Sequence, residues 1–278
     1  MTNKTVIKKN NNISLINTKD TKLSIQFYLG GFSFCITNNS TKETVYFSEY
    51  VFEEKHKTPE SLLNKIEEIF KTDLYLQKDF SSVLVIHQNS LFTLVPNEYF
   101  SENNLSEYLN FNIKTLVTDF IAFDNLDNIN AKNVFVPYVN INNYLFQNFG
   151  EFEYKHHLTI FIEKLISLNN SDEKKVFINV YKDNFDIVVL QNKQLIFSNS
   201  FYFETKEDFI YYVLFTLEQL KLDVEQIELY FTGDIEIESD IYTITYQYIR
   251  NVFFLESKNE IFNQLSSSKH TNYILLGS

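Results

Sequence analysis

Apolar and polar residues alternate through residues 23–39 (LSIQFYLGGFSFCITNN) and again through residues 176–192 (VFINVYKDNFDIVVLQN). A period of two marks a strand with one buried face. Each run is broken near its middle by turn residues, Gly30-Gly31 in one and Asp183-Asn184 in the other, so each predicts a β-hairpin. Gly, Asp and Asn tolerate the positive φ that tight hairpin turns commonly demand. A third strand is expected at 44–48 and at 195–203. The period then changes. Leu62, Leu63, Ile66, Ile69 and Phe70 fall at helical spacing, as do Phe209, Ile210, Val213, Leu214 and Leu217. Each helix has a start signal: Thr58 before Pro59, and Thr205 with Asp208 three residues on. Short apolar runs at 83–86 and 227–231 predict a closing buried strand.

The two halves therefore read as one unit written twice. At an offset of 153, Ile25/Ile178, Tyr28/Tyr181, Phe32/Phe185 and Asn39/Asn192 are identical. The order β-β-β-α-β implies three antiparallel strands, then a helical crossover to a strand parallel to the first. Between the copies, strands are expected at 91–95, 116–123 and 134–136, with helices at 98–111, 141–149 and 158–168. After the second copy, residues 242–278 suggest strand, helix and a last strand at 273–276. Asn169-Asn170-Ser171-Asp172 is the best linker signal. The domains expected are 1–21, a flexible basic tail; 22–170, the first subdomain; and 171–278, the second. The fold class is α/β with mixed sheets.

Composition narrows the functions this scaffold can carry. The 278 residues include 24 basic and 36 acidic side chains, a net charge of −12. Residues 1–150 hold 13 basic and 16 acidic groups, and residues 151–278 hold 11 and 20. Arg250 is the one arginine, which argues against nucleic-acid binding, where clustered Lys and Arg neutralise phosphate. Cys35, the single cysteine, lies in an apolar stretch and reads as a buried core residue, so a reducing, cytoplasmic setting is expected. No stretch approaches the roughly 20 apolar residues of a membrane span.

Chemistry-bearing residues are sparse. His156-His157 are adjacent, and in an extended segment point to opposite faces, so they cannot chelate one metal. His87 ends a buried strand, where a satisfied histidine is the simpler reading than a catalytic base. Phosphate-binding loops and nucleophile-elbow motifs are absent from the sequence. The run Asp223, Glu225, Glu228, Asp234, Glu236, Glu238 and Asp240 contains no basic residue. It reads as a solvated rim or as a docking surface for a basic partner. Tyr242, Tyr246 and Tyr248 are candidates for a partner-binding face.

Two tandem units of this order resemble the superfamily of actin, heat-shock chaperones and sugar kinases, whose members carry ribonuclease-H-like β-β-β-α-β units around an interdomain cleft. The segment Leu94-Val95-Pro96-Asn97-Glu98 before a helix, and Phe135-Val136-Pro137 leading into helices, are similar to the type IV pilus PilM-like branch. The closest likeness is to a bacterial actin-like family known as a domain of unknown function. The resemblance implies an acid two residues before each hairpin turn glycine to position magnesium, turn amides to cradle phosphate, and a Gly-Gly turn for adenosine. Here Tyr28 and Tyr181 stand at the acid positions, and Gln26 and Asn179 precede them in strand phase. What remains for a vestigial nucleotide site is Gly30, Gly31, Asp183, Asn184, Thr232 and Gly233. The implied function is a non-catalytic actin-like scaffold or adaptor, a pseudo-ATPase with no catalytic or metal residues and no cofactor, acting on a protein partner such as a basic or membrane-protein segment. The alternatives are an ATP-binding protein with little or no hydrolysis, and a divergent small-molecule kinase using Asp119 or Asp124.

Overall fold

The computed structural model describes residues 5–9, 18–52, 56, 58–169 and 171–277. Strand β1 (Thr5–Lys9) is followed by β2 (Thr21–Tyr28), β3 (Gly31–Asn38) and β4 (Thr44–Phe52), then α1 (Pro59–Thr72) and β5 (Ser82–His87). An inserted segment holds β6 (Phe92–Pro96), α2 (Leu105–Asn110), β7 (Ala122–Leu126) and β8 (Ala131–Phe135). Next come α3 (Val139–Phe149), β9 (Glu153–His156) and α4 (His157–Leu168). The second copy consists of β10 (Lys174–Val180), β11 (Asn184–Gln191), β12 (Gln194–Tyr202), α5 (Lys206–Gln219) and β13 (Glu228–Gly233), with α6 (Asp240–Tyr248) and β14 (Asn251–Phe254) after it.

The expected repeat is present twice. One sheet has the order β1-β4-β3-β2-β5-β9 and another β12-β11-β10-β13-β14. In each, two antiparallel pairings are followed by a crossover to a strand parallel to the first, β2 with β5 and β10 with β13. Each copy also gains a fifth strand, β9 or β14, parallel to its neighbour. Both helix starts form as the sequence directs. The Thr58 hydroxyl accepts from the Ser61 amide, the Thr205 hydroxyl accepts from the Asp208 amide, and both close a reciprocal capping box.

Two compact units result. Among the described residues, one takes those up to 160 and 259–266; the other takes those in 161–258 and 267–277. The division falls between residues 160 and 161, inside α4 and ahead of the linker at 169–172. Residues 259–266 belong to the first unit, where the Asn259 side chain donates to the Thr44 hydroxyl at 2.7 Å. In the first unit, Leu23, Ile25, Phe27, Phe32 and Phe34 pack with Leu62, Ile66 and Phe70 of α1. In the second, Val176, Ile178, Phe185 and Ile187 pack with Phe209, Val213 and Leu217 of α5. A small third sheet, β6-β8-β7, has its own cluster of Val95, Leu109, Val134 and Val136.

Several expectations are corrected. Residues 5–9, expected within a flexible tail, form β1, whose backbone pairs with β4. The helix expected at 98–111 reduces to two short 3-10 turns and α2. There the Tyr108 hydroxyl accepts the Ser101 amide and donates to the Tyr99 carbonyl, holding the chain in a turn. The strand expected at 116–123 begins at Ala122, because the Asp119 carboxylate accepts the Leu116 amide and closes a turn. The strand expected from Tyr242 is the helix α6, started by the Ser239 hydroxyl accepting the Tyr242 amide. Residues 275–277 form a 3-10 turn where a last strand was expected.

Candidate functional site

The hairpin turn of the first copy is built around a tyrosine. Tyr28 ends β2 opposite Gly31. Its ring lies where side chains at the two glycines would stand: a Cβ on Gly30 would sit 2.6 Å from the ring, and one on Gly31 would sit 2.8 Å from it. Neither glycine has positive φ. The two glycines are thus explained by room for the Tyr28 ring, and the expectation of a positive-φ turn is corrected. The carbonyls of Leu29 and Gly30 accept the His56 and Phe52 amides, which fastens the turn to the end of β4.

The equivalent turn in the second unit is closed by the Tyr181 amide donating to the Asn184 carbonyl. Asp183 and Asn184 also keep negative φ. The carboxylate nearby belongs to Asp186, two residues past Asn184 on β11 and fully buried. It accepts from the Tyr181 hydroxyl at 3.0 Å and from the Ser200 hydroxyl. A buried acid on the second hairpin strand, on the face opposite Phe185 and Ile187, escapes a search centred on the turn. The one signal for it is an Asp inside the apolar run 185–190.

The end of β13 is the tightest point of the second unit. Gly233 has φ +89°, and a Cβ there would stand 2.2 Å from the Val180 carbonyl oxygen. Only glycine allows that approach of β13 to β10. The Thr232 hydroxyl donates to the Asn179 side-chain oxygen at 2.8 Å. The Gly233 amide donates to the His270 carbonyl, and the Asp234 amide donates to the Val180 carbonyl. His270 in turn donates from Nε2 to the Ile235 carbonyl at 2.5 Å, and its ring stacks on Phe254. The fold thus brings Thr232 and Gly233 onto the last residues of β10, while Asp183 and Asn184 lie beyond that strand's end. Gly30 and Gly31 belong to the first unit.

In the first unit, the position equivalent to Gly233 is His87 at the end of β5, as each faces the residue before the hairpin's tyrosine (Val180 and Phe27). The ring is fully buried. Nδ1 accepts the Tyr138 amide, so Nε2 carries the proton and donates to the Asn142 oxygen at 2.9 Å. Burial pushes its pKa down to about 3. This is a neutral histidine with both nitrogens satisfied. His156 is similar: Nδ1 accepts from Asn133, Nε2 donates to the Asn89 carbonyl, and burial holds its pKa well below the usual histidine range. His157 lies with its ring centre 4.3 Å from that of His156. Asp124 accepts from the His156 amide at 2.8 Å and from the Thr159 hydroxyl at 2.7 Å, which ties β7 to the start of α4. Asp119 caps its own turn. Neither carboxylate is poised as a general base. Among the described residues, no group of three or more His, Cys, Asp or Glu is arranged to hold a metal ion, and no helix is long and apolar enough to cross a membrane.

Paired β-β-β-α-β units of this topology define the actin-like ATPase fold. A solved Bacteroides thetaiotaomicron protein, described as having that fold and unknown function, is similar over 96% of this chain and 100% of its own, with 25% identity and a TM-score of 0.78. A type IV pilus biogenesis complex of PilM and PilN supplies a second likeness, at 11% identity and a TM-score of 0.54, covering 92% of this chain and 96% of that one. Residues 10–252 match the family model described as protein of unknown function DUF3822, and the chain belongs to that family. No functionally curated protein matches the sequence.

Proposed function

We propose that this protein is a non-catalytic scaffold or adaptor on an actin-like fold, with a degenerate ATPase site, acting through protein–protein contact. One observation carries the reading: the backbone where a nucleotide would be cradled is occupied by the chain's own groups. Tyr28 fills the space beside Gly30 and Gly31, and the Gly233 and Asp234 amides already have carbonyl partners. Phosphate binding by backbone needs free N–H groups and an open approach. Tyr28 and Tyr181 also replace the carboxylates that would position magnesium. The PilM likeness adds that a relative of this fold assembles with another protein.

The test is titration calorimetry of the full chain with Mg-ATP, coupled to a phosphate-release assay. The expected result is no heat of binding and no release. Micromolar binding with hydrolysis overturns the reading. Binding without hydrolysis replaces it with the nucleotide-binding alternative, in which ATP is a ligand that switches partner contact.

A further inference from the structure

We propose that helices α5 and α6 of the second unit form the docking face for a Lys/Arg-rich segment of a partner protein. This inference rests on the adaptor reading and names its contact surface. The inner side of α5 buries Phe209, Ile210, Val213 and Leu217. Its outer side carries Glu207, Tyr211, Phe215 and Glu218, spaced by four, four and three residues and therefore one stripe. Tyr211 is 60% exposed and Phe215 45%, and the two rings stack at 6.1 Å with 17° between their planes. Helix α6 packs against α5 and exposes Tyr246 (60%) and Tyr248 (52%). Tyr246 stacks on Tyr242, which stacks on Phe254, so this surface ring is braced from the core. A pre-ordered aromatic surface loses little side-chain entropy when a partner covers it.

Charge decides what that partner is. Glu236, Glu238 and Asp240 are exposed at the start of α6, and Glu207 and Glu218 bracket the rings of α5. No basic residue falls between Lys221 and Arg250. Glu228 is set apart from this group by its ion pair with Lys175 at 2.7 Å. Acid beside exposed tyrosine suits cations, which gain Coulomb attraction from the carboxylates and lie over ring faces. The same acids repel a second copy of the chain and an anionic lipid surface.

The experiment is fluorescence anisotropy on the full-length chain at physiological salt, with a labelled Arg/Lys-rich peptide and a control peptide in which every base is Gln. Saturable binding is expected for the basic peptide alone. Tyr211→Ala and Tyr246→Ala should each weaken it by about 2- to 5-fold, the factor corresponding to a cation–π contact at an exposed site. Tyr246→Phe should retain binding, because the ring remains. Glu218→Gln with Glu238→Gln should weaken binding and flatten its salt dependence. Circular dichroism melts check that each variant is folded. Absence of saturable binding, or binding indifferent to both alanine variants, overturns the proposal. So does a dimer in sedimentation that Tyr211→Ala disperses, which would make this face a self-association surface. None of these outcomes depends on Mg-ATP, so the docking face and the adaptor reading fail separately.

Discussion

The ends of β5 and β13 occupy the same place in the two copies and are closed in opposite ways. Beside Phe27, the first copy places the His87 ring, buried and bonded through both nitrogens to Tyr138 and Asn142. Beside Val180, the second copy places Gly233, with no room for a single carbon. One end is a plug of side chain; the other is backbone against backbone. The outer strands differ too. β4 is mostly buried, because β1 pairs along it and residues 260–263 pack on it. β12 has no buried residue and, among the described residues, pairs with β11 alone. A duplicated topology fixes backbone hydrogen bonding but leaves each copy free to specialise at its rims.

The comparison can be broken by substitution at the strand ends, where the largest effect is expected. Gly233→Ala puts a methyl group against the Val180 carbonyl at positive φ and should cost about 2–4 kcal/mol in urea unfolding. A cost below about 1 kcal/mol would mean that the β10–β13 contact is loose.

Next comes His87→Ala, which empties a buried site and strands the Tyr138 amide. It should cost about 2–3 kcal/mol by the same measurement. An effect near zero would show that the ring does not plug the first copy.

The acid response sharpens the difference, because the first copy ends β5 and β9 with the buried histidines His87 and His156, bonded through both ring nitrogens. His87 and His156 resist protonation when folded and accept it near pH 6.5 when unfolded. The unfolded state therefore binds more protons as pH falls. Their contribution is full above about pH 6.5 and is lost progressively as pH falls, for His87 down to about pH 3. For His87 the loss at pH 5 is on the order of 2 kcal/mol. Unfolding across this range should show a shallower pH slope in His87→Ala; an unchanged slope would clear His87 of the role.

The smallest effect tests sameness. Thr58→Ala and Thr205→Ala each remove a capping box and should each cost about 1 kcal/mol in thermal melts. A clear inequality would mean that the two helix starts are not equivalent.

The caps and the hairpins were legible in the sequence because both are local. Thr58 and Thr205 act three residues away, and alternation with a period of two marks a strand and its apolar face. In the mis-assigned segments equally local signals, Ser239 before α6 and Asp119 after Leu116, are masked by apolar and aromatic neighbours. Residues 116–121 are apolar enough for a strand, but Asp119 turns them, and residues 242–248 hide a helix behind aromatic residues suited to either state.

For the candidate site, the sequence shows Tyr28 and Tyr181 where the family resemblance implies acids. It could not say what the remaining glycines are for. Gly30, Gly31 and Gly233 look like phosphate-cradling residues in one dimension. In three dimensions, two make room for a tyrosine ring and the third allows two strands to touch. The sequence by itself determined the repeat and the element order within it, since each follows from residue type at short range. Tertiary structure alone decided the partner of Gly233 and the satisfaction of His87 and His156. Those depend on contacts between residues tens of positions apart, which no local pattern encodes.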